Sequence, residues 1–194
     1  MTRTLTRLAA AAALISLATP AFAHTGHHAA GFAAGLAHPF SGLDHLLAMA
    51  GIGVWAAQLG GHNRWRVPLA FVGTMLLGAG LALVGFPLPQ VGLGIAGSVI
   101  AIGLLVGLGT KLPNAAAIAL AALVALFHGH AHGTELPTMA SAWNYGMGFV
   151  LATSLLHMAG LGLGHIAFRT ARPVLLKLAG LATALAGGVL VAGI

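Results

Sequence analysis

After residue 30 this sequence is a succession of apolar runs cut by five short breaks: "GGHNRWR", "FPLPQ", "TKLPN", "HGHAHGTELP" and "RTARP". Every break holds Pro, Gly or charge, the residues that end helices and make turns. The runs fall near Phe40–Leu59, Val67–Gly85, Val91–Gly109, Asn114–His128, Ala142–Phe168 and Val174–Ile194, the fourth being short with a polar end. A helix crossing a bilayer core needs about 20 apolar residues. The spacing therefore predicts an all-α, polytopic membrane protein with six transmembrane helices. Composition agrees: charged residues are 5% of the chain, against about 25% in soluble domains, too few to build a water-facing surface.

The first 23 residues, "MTRTLTRLAAAAALISLATPAFA", have a different design. Arg3 and Arg7 precede an apolar core from Leu8 to Leu17, and Ala21-Phe22-Ala23 is an A-x-A cleavage site. The core is too short to span, so residues 1–23 read as a cleaved signal peptide and 24–194 as a six-helix transmembrane domain. A periplasmic start puts the first, third and fifth breaks in the cytoplasm. Those breaks, with the start of the last span, carry Arg64, Arg66, Lys111, Arg169, Arg172 and Lys177, every basic residue after the signal peptide. This is the positive-inside pattern. It places the chain in a bacterial inner membrane, both mature termini periplasmic.

Several function classes drop out. The net charge of +6 comes from few, scattered basic residues, so nucleic acid is not an expected partner. No phosphate-binding G-x-x-x-x-G-K-[ST] loop occurs, so no nucleotide is expected. Cysteine is absent, which removes thiolate metal sites and disulfides. The recurrent glycines, such as Gly103 and Gly107, read as close helix packing. Those small-residue faces are also compatible with a homo-oligomer. The lipid bilayer is the one partner that composition implies.

Histidine is the anomaly. There are 11, against 2 acidic residues. Asp44 and Glu135 both lie on the predicted outer side, with His24, His27, His28, His38, His45, His128, His130 and His132. In "HPFSGLDH", Pro39 suits the first turn of a helix, which sets His38 at the start of the first span. His38 and His45 then stand two turns apart on one face, with Asp44 beside them. In "FHGHAHGTELP", His128, His132 and Glu135 share a face if the helix continues. If it unwinds at Gly129 or Gly133, His128, His130 and His132 alternate onto one side instead. Imidazoles with carboxylates are ligands for a divalent transition metal, and ionisable groups inside membrane spans are functional by default. His157, in mid-span, reads equally as a hydrogen-bond partner of a neighbouring helix or as a step on a path inward that continues to His165 or His62. His24, His27 and His28 read as a mobile capture segment. Met49, Met75, Met147 and Met158 read as packing.

The two stretches "HPFSGLDHLLAMAGIGVWA" and "FHGHAHGTELP" resemble the signature motifs of the HupE/UreJ family, and the likeness extends over nearly the whole chain. It implies a secondary permease or facilitator for nickel, serving hydrogenase or urease maturation. It further implies roles for His38, Asp44 and His45, and for His128, His130, His132 and Glu135. Phe71 also matches a family position. The family's acidic residue before "GIA" of the third span is missing here, so any such role is lost or passes to Gln90. Ni²⁺ is thus expected as transported substrate, with Co²⁺ or Zn²⁺ as alternatives, and no organic cofactor. A competing class is an intramembrane hydrolase with His/Asp/Glu-bound zinc, Glu135 as base and Ser41 assisting. Bis-histidine haem binding is a third reading, disfavoured by the clustering at one surface.

Overall fold

The computed structural model describes residues 31–136, 141–170 and 173–194. The signal segment, the capture histidines His24, His27 and His28, and Arg172 lie outside the described residues. Among the described residues the chain is all helical: α1 (Phe32–Ser41), α2 (Leu43–Leu59), α3 (Asn63–Leu83), α4 (Val91–Leu108), α5 (Asn114–Thr134), α6 (Ala142–Arg169) and α7 (Pro173–Ala192). The helices α3 to α7 are each long and apolar enough to cross a membrane. Their large side chains facing outward, such as Leu69, Leu77, Leu108, Leu163 and Leu185, suit lipid.

The first span differs from the continuous helix expected from Phe40 to Leu59. It begins at Phe32 and breaks at Gly42, where α1 and α2 meet at 88°. Gly42 is extended (φ −110°, ψ 125°) and caps both helices. The break is held locally. Ser41 Oγ donates to the His38 carbonyl at 2.6 Å, and the Asp44 carboxylate accepts the His45 amide at 2.8 Å. Pro39 lies inside α1, in its last turns, and not at the start of the span. The helix continues two residues past Pro39 and ends where Gly42 turns extended. His38 and His45 consequently sit on different helices, not on one face of one helix.

The fourth span also differs. It runs to Thr134, beyond the His128 boundary that hydropathy suggests, because its polar end is buried in the protein and not exposed to lipid. The helix does not unwind at Gly129 or Gly133.

The spans pair by direction. α2 lies parallel to α6 and α3 parallel to α5, whereas α4 runs antiparallel to α7. Exchanging the first three spans for the last three turns the first pair into the second and returns the third to itself, as inverted halves would. Two glycines show what the close pairs require. A Cβ at Gly53 would collide with the His157 carbonyl, and one at Gly129 with the Met75 carbonyl. Without side chains there, the backbones touch, which is how membrane helices associate when lipid removes the hydrophobic driving force.

The end that carries the basic residues is tied shut. The Trp55 indole donates to the Thr110 carbonyl at 3.0 Å, Gln58 to the Val106 carbonyl at 3.0 Å, and Asn63 to the Asn114 side chain at 2.7 Å. His38, His45, His128, His132 and both carboxylates occupy the opposite end.

Candidate metal centre

Four imidazoles converge where the α1–α2 break meets α5 and α6. The ring centroids of His38 and His132 are 4.7 Å apart, those of His45 and His132 4.4 Å, and those of His45 and His128 4.8 Å. The bend at Gly42 makes this possible. It folds His38 back so that its ring lies 6.3 Å from that of His45, whereas a straight helix would hold them two turns apart. His128 and His132 follow one another at i and i+4 on the inward face of α5.

The carboxylates occupy two distinct positions. Glu135, the C-cap of α5, puts Oε2 3.3 Å from His38 Nε2 and 3.9 Å from His132 Nδ1. One ligand atom from each of these three residues falls within 4.8 Å of the others, close enough to share a single ion. The hydrogen bond from His38 holds the Glu135 carboxyl below its usual range, so it stays ionised at neutral pH. Asp44 instead accepts the His45 Nδ1–H at 2.7 Å. That bond fixes the tautomer and leaves His45 Nε2 as a bare lone pair, buried and unpartnered. A carboxylate behind a ligand histidine is the usual outer support of a metal site. Asp44 is thus placed to orient His45, where the sequence suggests a direct ligand.

Ser98 plays the same part for His128. Its hydroxyl donates to the Ile95 carbonyl at 2.6 Å, so it accepts from His128 Nε2–H at 2.8 Å. His128 Nδ1 is left as the free, buried acceptor. His132 has both nitrogens unpartnered while its ring packs on Phe149, centroids 3.9 Å apart. Buried polar atoms are nearly always hydrogen-bonded, and this much unpaired imidazole nitrogen gathered in one place fits an ion. A recess of about 280 Å³, lined by Asp44, His45 and Glu135, opens beside the cluster.

His130 does not join. On a continuous helix it is turned about 200° from His128, and its Nε2 donates to the Phe86 carbonyl at 2.9 Å, tying α5 to the α3–α4 loop. Gln90 is exposed and left-handed (φ 55°) at the start of α4; that helix reaches the site through Ser98. Ser41 is exposed, with its hydroxyl bonded to its own helix. The His38 and His45 rings are 6.3 Å apart, but the His132 ring lies 4.7 and 4.4 Å from them and leaves no flat space for a porphyrin. Below the cluster, fully buried Phe71 lies 6.0 Å from His128 and 5.0 Å from His157, whose two nitrogens are unpartnered. His165 is exposed at the far end, beside Arg64 in a separate recess of about 270 Å³.

Sequence reasoning missed Ser98, Tyr145 and Phe149. Tyr145 carries a buried, unpartnered hydroxyl, and its ring lies 5.9 Å from that of His38. It is the only tyrosine of the chain, a signal that was present. Ser98 and Phe149 have no such mark, being ordinary members of apolar spans.

Comparison with known proteins gives a consistent picture. A sequence model of the family described as HupE / UreJ protein matches residues 12–190. The chain is 49% identical over 181 residues to Protein HupE of Rhizobium leguminosarum bv. viciae, covering 93% of this chain and 95% of that one. No solved structure matches it.

Proposed function

The chain belongs to the HupE/UreJ family, and from that premise we propose that it moves a divalent transition metal, Ni²⁺ first, from periplasm to cytoplasm to supply a hydrogenase or urease. The observation that carries this reading is the ring of half-buried His38 and buried His45, His128 and His132 with Glu135 at its rim, in which one nitrogen each of His45 and His128 and both of His132 lack partners. Glu135 removes part of the ion's charge. The imidazoles replace its water. Borderline nitrogen donors suit Ni²⁺, Co²⁺ and Zn²⁺ and disfavour Mg²⁺ and Ca²⁺. The closed basic end and the recess at the other describe one face of an alternating-access cycle. The inverted pairing of the halves supplies the second face by exchange. Moving two charges inward down a potential of roughly 100 mV releases about 4.6 kcal/mol, so no ATP is required.

The test is uptake of Ni²⁺, Co²⁺ and Zn²⁺ in competition into proteoliposomes. The Asp44→Asn and Glu135→Gln proteins should each insert normally and lose uptake. An amide in place of the Asp44 carboxylate holds His45 less firmly, and such outer support is worth about 10–100-fold in metal affinity. An amide in place of the Glu135 carboxylate leaves the dication under-neutralised. Normal uptake by both would remove the site.

Orientation is part of the same proposal: cleavage after Ala23 and an outer C-terminus, from the one-sided basic residues. A reporter fused after Ile194 should work only outside the cytoplasm. Activity confined to the cytoplasm would invert the direction of transport.

A further inference from the structure

We propose that Met49, Met75, Thr153 and His157 form a second, uncharged holding step for the dication, one helical turn beneath the imidazole–carboxylate cluster. The inference rests on the transport reading. Three helices converge there. The Thr153 hydroxyl of α6 lies 3.4 Å from the Met49 sulfur of α2 and 3.8 Å from the Met75 sulfur of α3. All three side chains are fully buried. His157 follows Thr153 by four residues, so it stands one turn deeper on the same face of α6.

Packing alone does not account for this group. A methionine pair fills space, but His157 is buried with neither ring nitrogen bonded. An apolar residue would fill the same volume without that unsatisfied polarity. An ionisable residue kept at such a depth in a membrane marks an ion path. The step lies on the way down from the cluster. Met49 is one turn below His45 on α2, and Thr153 is one turn below Phe149, which packs on His132. Phe71 closes the way between levels, its ring edge-on to His157 and tilted toward His128.

The donor set differs from that above it in a useful way. Thioether sulfur, hydroxyl and imidazole carry no charge, so a dication is held more weakly than beside Glu135. A conducting path needs a site that binds well enough to admit the ion and weakly enough to release it. Thioethers also accept borderline ions and reject hard ones. The step would therefore discriminate Ni²⁺ or Co²⁺ from Mg²⁺ and Ca²⁺ after water has been stripped.

The experiment compares wild type with the M49L/M75L double variant, a nearly volume-preserving change. Two quantities are read: Ni²⁺ bound at equilibrium in detergent, and Ni²⁺ uptake into proteoliposomes with and without excess Mg²⁺. The variant should bind Ni²⁺ at the outer cluster as wild type does, yet take it up about tenfold more slowly or worse, as expected for lost ligands. Uptake by the variant at the wild-type rate would overturn the second step and leave transport intact. A wild-type protein that moves none of Ni²⁺, Co²⁺ and Zn²⁺ would overturn the transport reading itself. Should the double variant not fold, Thr153→Val preserves the shape, removes the hydroxyl, and is read by the same two measurements.

Discussion

A His132→Leu protein is expected to melt at a higher temperature than wild type in the absence of metal, and to transport none. His132 is 3% exposed and has no hydrogen bond from either nitrogen. A buried polar atom left unpaired costs about 1–3 kcal/mol. Leucine has no such atom and packs against Phe149, so the substitution should stabilise the metal-free fold by about 1–3 kcal/mol. Function goes the other way. His132 is the member closest to both His38 and His45 and faces Glu135. Without it, the three-residue set with His38 and Glu135 no longer exists. Wild type should gain about 2.7 kcal/mol of stability at a metal concentration one hundred times its Kd, whereas the variant should gain almost none. Thermal melts with and without Ni²⁺, paired with uptake, check both halves. A variant that melts lower without metal would make the polar ring structural. One that still transports would move the site elsewhere.

The opposite signs follow from how the site is built, and they bear on what can be read without coordinates. Spans two to six are legible because hydropathy and Pro/Gly breaks report lipid contact directly. The gathering of histidine and acid at one end is legible for a related reason: with only 2 acidic residues in the chain, their placement is conspicuous. Where hydropathy stops reporting lipid contact, the sequence misleads. α5 continues through "HGHAHGT" because those residues face protein, and a hydropathy boundary cannot distinguish polar residues inside a bundle from polar residues in water.

The first motif misleads for a different reason. "HPFSGLDH" reads as a helix start because Pro39 suits a first turn. In fact the proline lies inside one helix near its end, and Gly42 turns the chain before the next begins. Periodicity cannot carry across a bend of 88°, so the proximity of His38 and His45 follows from the sequence only with the wrong geometry behind it. His130 groups with its neighbours on a spacing that fits only an extended chain. Met49 and Met75 read as packing, which they also do; their shared approach to Thr153 is a tertiary fact, since Met75 is 78 and Met49 is 104 positions from it in sequence. Ser98 and Asp44 act through histidines, and roles of that kind depend on which nitrogen is already occupied.

A Gly129→Val protein is expected to lose both its fold and its site, while Gly73→Val is expected to lose neither. Both positions are on the α3–α5 pair, and each would add the same β-branched side chain to a helix. At Gly129 the new Cβ would fall on the Met75 carbonyl, with the Met75 Cα also in the way. Those are backbone atoms and cannot rotate aside, so α3 and α5 must separate. The contact is reciprocal, because a Cβ at Gly78 of α3 would likewise fall on the Leu126 carbonyl and the His130 amide. Parting the pair therefore breaks it along more than one turn, at a cost above the about 1–3 kcal/mol of ordinary overpacking. It also moves the proposed ligands. α5 carries His128 and His132, and α3 carries Phe71 and Met75, so an ångström of separation there is an ångström at the ion. A Cβ at Gly73 meets nothing within 4 Å, and the residue is exposed on the outer face of α3. Replacing a glycine there should even favour the helix slightly. Detergent melts and Ni²⁺ binding by the two proteins give the comparison. Equal stability would mean that the close approach of α3 and α5 does not hold in the membrane; a Gly129→Val protein that folds but binds Ni²⁺ as wild type does would mean that α5 does not position the ligands.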